Sequence, residues 1–96
     1  MAADEITTMN IRIEGRVQGC GFRDFAMREA NGRKLKGWVR NRSDGSVEAL
    51  AHGPTRTVEE FIAVCIKGPN GANVTSVDLQ PAEPPESLGF VRRPSV

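Results

Sequence analysis

The sequence predicts an α+β sandwich: one antiparallel sheet of four to five strands with two helices on one of its faces. Three observations predict it. Apolar and polar side chains alternate with period two in separate short segments. Two other segments carry the 3.6-residue period of an amphipathic helix. The segments follow one another as β-α-β-β-α-β, with room for a short last strand. Neither helix can hide its apolar stripe alone, and both do so if they cover the same face of the sheet. That is the ferredoxin-like split βαβ arrangement.

Met1 to Thr8 reads as a flexible N-terminal tail, which leaves residues 9–92 as one domain. Met9, Ile11 and Ile13 alternate with Asn10, Arg12 and Glu14, a half-buried strand that Gly15 ends. Residues 16–21 read as a tight loop with two glycines. Phe22, Phe25, Ala26, Glu29 and Ala30 then fall at helical spacing, with Asn31-Gly32 as the helix end. Lys36 to Asn41 is the next strand, and Ser43-Asp44-Gly45 turns it into Val47, Ala49 and Ala51 as a hairpin. Gly53-Pro54 breaks that strand. Val58, Phe61, Ile62, Cys65 and Ile66 give a second amphipathic helix, with Thr57 and Glu60 fitting a capping box and Thr55 as the other candidate cap. Gly68-Pro69-Asn70-Gly71 stops it. Val74, Val77 and Leu79 mark a strand whose change of phase implies a bulge. Pro81, Pro84 and Pro85 stiffen the connection to a short strand at Phe90 and Val91.

Composition excludes several classes. The chain has 96 residues, the size of one small domain, and a net charge of +1 from 13 basic and 12 acidic residues. That balance gives no field able to hold nucleic acid or anionic lipid by bulk charge. No apolar run approaches the ~18 residues of a membrane span. Asp4 and Glu5 in the first eight residues argue against a signal peptide. Two cysteines, Cys20 and Cys65, cannot make a disulfide scaffold. A cytoplasmic monomer without nucleic-acid or membrane partners is expected.

Two segments could carry chemistry. The loop Arg16-Val17-Gln18-Gly19-Cys20-Gly21 opens the helix that starts at Phe22 and Arg23. Successive N–H groups of a glycine-rich turn can form an anion cradle, and the helix N-terminus adds partial positive charge. Arg23 is a cation where the helix dipole disfavours one, yet it would serve a bound anion as a forked donor. The same residues also read as an ordinary strand-to-helix turn with a surface arginine. In Gly37-Trp38-Val39-Arg40-Asn41, Asn41 shares a strand face with Gly37 and Val39. Its amide can orient a water but cannot take its proton. Read alone, it is better explained by turn initiation before Arg42-Ser43-Asp44-Gly45.

Taken together, residues 15–23, Gly37 to Asn41 and Asp44-Gly45-Ser46-Val47-Glu48, with Gly53-Pro54, the Val58/Phe61 helix and Gly68-Pro69, resemble the acylphosphatase family from about Met9 to Phe90. The resemblance implies hydrolysis of acyl phosphates to a carboxylate and inorganic phosphate, with no metal or other cofactor. It implies that loop residues Arg16, Val17, Gln18, Gly19, Cys20, Gly21, Phe22 and Arg23 bind the phosphoryl group, that Arg23 contacts its oxygens, and that Asn41 positions the attacking water. Inorganic phosphate would be product and inhibitor. Three positions depart from the family pattern. Cys20 stands for a usual valine, Arg33-Lys34-Leu35 lacks the usual helix-ending glycine at Lys34, and Arg92 stands where an apolar strand residue is common. Either Gly32 ends the helix early or Lys34 bears strain.

Other residues are set aside. His52 is a lone histidine on a strand, Cys65 lies on an apolar helix stripe, and Trp38 reads as packing. No Cys, His, Asp and Glu cluster has metal-ligand spacing. Arg40 and Arg42 read equally as a solvated strand end or as steering groups for anions. An RNA-binding sheet of this topology would need exposed aromatics and a basic surface, and this chain has five aromatics, no tyrosine and near-zero charge. A non-catalytic phosphate-binding domain is the remaining alternative.

Overall fold

The alternation read from the sequence becomes the inner face of a sheet. Ile11 and Ile13 on one strand, Val39 on another and Val47, Ala49 and Ala51 on a third are all fully buried. Phe22, Ala26 and Ala30 from one helix and Val58, Phe61 and Cys65 from the other close over them as a single cluster. The computed structural model describes residues 5–96. Its elements are β1 (Ile6–Arg16), α1 (Phe22–Gly32), β2 (Lys36–Asn41), β3 (Val47–Pro54), α2 (Thr55–Lys67), β4 (Asn73–Pro81) and β5 (Phe90–Arg92). The sheet order is β4-β1-β3-β2-β5. Phe61 of α2 meets Phe90 of β5 edge to face at 5.6 Å, and Phe22 and Phe25 form a second such pair within α1 at 5.8 Å.

The sheet is not antiparallel throughout. β5 runs parallel to β2, with Gly37 opposite Phe90 and Val39 opposite Arg92. The proline-rich connector leaves β4 at one edge and crosses to the other, so β5 starts from the same end of the sheet as β2. Ser87 Oγ donates to the Gly37 carbonyl at 3.2 Å, and the Gly37 N–H donates to Gly89 at 3.0 Å, which docks the connector there.

The N-terminal strand starts earlier than the alternation suggests. Residues 6–8 of the expected tail pair with Pro54, Gly53 and His52, and residues 1–4 lie outside the described residues. Threonine hydroxyls hold this end: Thr7 with Thr55 at 2.6 Å, and Thr8 with His52 Nδ1 at 2.6 Å. The same contacts pre-empt the helix cap. α2 starts at Thr55 with no side-chain capping bond, so the Thr57–Glu60 box does not form. The Thr55 N–H donates instead to the Glu5 carbonyl at 3.0 Å. Gly53 and Pro54 are still paired strand residues, and the break falls just after them, where β3 gives way to α2.

Gly15 does not end β1; it accommodates the expected bulge. Glu14 faces Ser76 while Gly15 faces Val74, which leaves Thr75 as the extra residue. Gly15 has φ 121, and a Cβ there would lie 2.2 Å from the Asn73 carbonyl oxygen. The bulge bends the end of β1 as it enters the following loop. On α2, Ile66 is exposed although it falls in the helical period, and the buried stripe consists of Val58, Phe61 and Cys65.

The outer face of the sheet is polar. Glu48 accepts hydrogen bonds from Asn10, Arg40 and Arg42, each at 2.9 Å. Burial pushes the Glu48 carboxyl up, but these donors outweigh it and its pKa is lowered. Arg40 also lies over the Trp38 ring at 4.6 Å, with Arg93 at 5.2 Å. Arg40 and Arg42 thus share the one carboxylate of Glu48.

Two predictions follow from local geometry. The end of α1 is a Schellman motif, with Leu35 N–H donating to Ala30 and Lys34 N–H to Asn31, both at 3.0 Å. Lys34 takes the left-handed position at φ 60, so it bears the strain. Lys34→Gly should raise stability by about 0.5–1 kcal/mol in urea unfolding, the relief of left-handed strain less glycine's entropy cost. In the β2–β3 turn, the Ser46 hydroxyl and then its N–H hold the Asp44 carboxyl down at about 2, with Arg12 assisting against a small opposing effect of burial. A carboxyl lowered by folding stabilises fully above its unfolded pKa of about 4 and loses that contribution as pH falls through its folded value. The stability advantage of wild type over Asp44→Asn should thus be constant above about pH 5 and shrink towards pH 2, as urea titrations of both proteins at several pH values would read.

Candidate active site

The bend after β1 feeds a loop that two left-handed glycines shape. Gly19 and Gly21 both have φ 79, and Gly21 is the N-cap of α1 without any side-chain capping bond. An added Cβ at either position would meet nothing within 4 Å. The need for glycine there is thus conformational and not steric. The consequence is electrostatic. Among the described residues, no backbone N–H from Gln18 to Asp24 has a hydrogen-bond partner; the first helical bond is from Phe25 N–H to the Gly21 carbonyl at 3.0 Å. A run of unpaired N–H groups at a helix N-terminus is able to accept an anion.

These groups surround a cavity of about 130 Å³ lined by Val17, Gln18, Gly19, Gly21, Phe22 and Arg23 together with Asp24, Asn41 and Arg92. That is room for a phosphoryl group with a water beside it. Arg23 stands in the first turn of α1, half-buried, and among the described residues no carboxylate pairs with it. Asn41 ends β2 opposite Val47, whose side chain is in the core. Asn41 therefore points to the helix-covered face, where the core opens into the cavity. Its carbonyl accepts from Val96 N–H at 3.1 Å, so the chain's last residues lie alongside.

Gln18 joins the two halves. Its amide Nε2 donates to the Arg42 carbonyl at 2.8 Å and to the Ser46 carbonyl at 2.9 Å. Both acceptors belong to the hairpin that carries Asn41. Gln18 thus braces the loop against β2 with both amide hydrogens in use.

The structure gathers most of the expected residues and separates two of them. Arg16 pairs with Asn73 inside β1 and does not line the cavity. The Cys20 side chain turns away from it, packing against the core beside Gly71, while its N–H stays in the unpaired run. Cys20 and Cys65 are both free thiols, and burial pushes the Cys65 thiol up to about 12, out of reach of thiolate chemistry. His52 is engaged with Thr8 away from the cavity. Among the described residues, no group of three His, Cys, Asp or Glu side chains is placed to hold a metal ion.

Two residues of the cavity wall escaped the sequence reading as site residues. Asp24 follows Arg23 in the first turn of α1, and Arg92 ends β5, where the sequence drew notice only as a departure from an apolar pattern. They form an ion pair across the rim. The available signal was phase: Arg92 is two residues beyond the buried Phe90 and so shares its face.

A family model described as Acylphosphatase matches residues 9–91. The acylphosphatase of Rhodospirillum rubrum is 44% identical over 89 residues, which cover 93% of this chain and 98% of that one. That of Azoarcus sp. is 52% identical over 80 residues, covering 83% and 82%. The crystal structure of acylphosphatase from Bacillus subtilis superposes with a TM-score of 0.85 at 38% identity, over 93% of this chain and 99% of that chain. A match of this extent in both sequence and fold places the chain in the acylphosphatase family.

Proposed function

We propose that this acylphosphatase binds and hydrolyses acyl phosphates in the cavity between the 17–23 loop and the end of β2, releasing a carboxylate and inorganic phosphate. The observation that carries the reading is the unpaired run of N–H groups from Gln18 to Asp24 around a space that Arg23 and Asn41 also line. The phosphoryl oxygens accept from the loop N–H groups and from the Arg23 guanidinium. Phosphoryl transfer asks for positioning and charge stabilisation more than for covalent help. Fixed donors meet the charge as it spreads over the equatorial oxygens.

Asn41 holds the attacking water through its side-chain amide. The water oxygen bonds to phosphorus, the bond from phosphorus to the acyl oxygen breaks, and that electron pair leaves with the carboxylate. The conjugate acid of this leaving group has a pKa of about 4, so it departs without a general acid. The water's proton passes to a phosphate oxygen of the substrate. Asn41 cannot accept it, and Asp24, the carboxylate in the wall, is occupied by Arg92. In this reading Gln18 is a positioning residue: it keeps loop and hairpin at the spacing that aligns water with phosphorus.

The proposed protein is a cytoplasmic monomer acting on a small molecule. A net charge of +1 offers no field for a polyanion, and free thiols suit a reducing compartment.

The test is hydrolysis of benzoyl phosphate beside p-nitrophenyl phosphate, with chelator present. Rapid loss of the first and little of the second is expected; if folded protein hydrolyses neither, the domain is a phosphate-binding module. Arg23→Gln should lower kcat by roughly two to three orders of magnitude and weaken inhibition by phosphate. Asn41→Ala should lower kcat much more than it changes phosphate affinity, and the reverse pattern would make Asn41 a binding residue.

A further inference from the structure

Phe90 and Arg92 share one face of β5, and that face also carries Val39, the neighbour of Arg92 in register. Phe90 and Val39 are buried in the core. Arg92 continues the same row at the point where the sheet leaves the core, and there it lines the cavity. Its guanidinium pairs with Asp24, the two side chains being 44% and 66% exposed. A pair so open to water contributes little to stability. Its effect is to hold a cation on the cavity wall beside Arg23.

The rest of the wall gives an acyl group little to rest on. Val17 and Phe22 are the lining residues with large apolar side chains, and both are buried. The remaining side chains are amides, guanidinium groups and a carboxylate. With the phosphoryl group in the proposed cradle, the acyl part of the substrate has to pass over this polar rim. It meets no apolar slot. It meets instead a planar five-donor fork whose present partner, Asp24, is exposed enough to swing into water.

We propose that Arg92 is a specificity-determining residue that favours acyl phosphates bearing a second anionic group, a carboxylate, on the acyl part. The inference rests on the placement of the phosphoryl group under the preceding heading. The substrate carboxylate replaces Asp24 on the guanidinium fork, and Asp24 turns out to solvent. Neutral acyl groups cannot make this exchange and leave the Arg92–Asp24 pair closed. Asp24 therefore opposes anionic acyl groups as a competitor for Arg92, while Arg92 selects them.

The experiment compares kcat/KM for 4-carboxybenzoyl phosphate with that for benzoyl phosphate, and follows their ratio across variants. Arg92→Ile should lower the ratio about tenfold, Arg92→Lys less because it keeps the charge without the fork, and Asp24→Asn should raise it. Arg56→Gln, on α2 outside the cavity, controls for net charge and should leave the ratio in place. An Arg92→Ile ratio within twofold of wild type, or an equal fall in Arg56→Gln, would overturn the assignment. Failure of wild type to hydrolyse benzoyl phosphate would instead sink the placement of the phosphoryl group. Hydrolysis of that parent with an unmoved ratio sinks the role of Arg92 alone.

Discussion

The structure turns on a stretch of backbone left without partners. Along its paired strands and within its helices the chain satisfies its main-chain donors, as buried amides must be. From Gln18 to Asp24 it does not. Two glycines in left-handed conformation hold this stretch in shape, and no side chain caps the helix that follows. Such a stretch persists because it lies at the surface, where water or an anion meets the exposed donors.

Everything near the loop serves to fix its position. The bulge at Thr75 bends the end of β1, and it exists because Gly15 leaves space for the Asn73 carbonyl. Gln18 fastens the loop to the β2–β3 hairpin with two hydrogen bonds. Phe22 roots the first turn of α1 in the core. Asn41 comes from a different strand, and its side chain reaches the loop only because β2 leaves the core at the same level. The proposed chemistry needs loop and water-positioning amide within one water's breadth of each other, and each of these contacts restricts that distance.

The opposite face of the sheet shows how a thin core is kept specific. Glu48 is ringed by Asn10, Arg40 and Arg42, and Trp38 lies beneath Arg40 and Arg93. Charged side chains cover the apolar ring and keep the open face soluble, while a row of fixed partners disfavours slippage of register. Cys65 belongs to the other kind of interior, a small apolar filler whose thiol is silenced by burial.

Periodicity made the layers legible. Alternation in β1 and β3, the spacing of Phe22, Ala26 and Ala30, and that of Val58, Phe61 and Cys65 marked the buried faces, because side-chain direction follows directly from backbone period. The glycine loop and Arg23 were legible as a candidate anion site, since an unusual residue at a helix start needs no distant partner to be noticed. The sequence could not show that Ile6–Thr8 form strand, that Glu5 and Thr7 claim Thr55 in place of a capping box, or that β5 lies parallel to β2. Each depends on a pairing between segments tens of residues apart, and local propensity carries no information about which strand an edge will find. The same limit kept Arg16 and the Cys20 side chain out of the cavity lining and brought Asp24 and Arg92 into it. A residue's face can be read along its own strand, but what that face meets is decided only when α1 and β5 pack side by side.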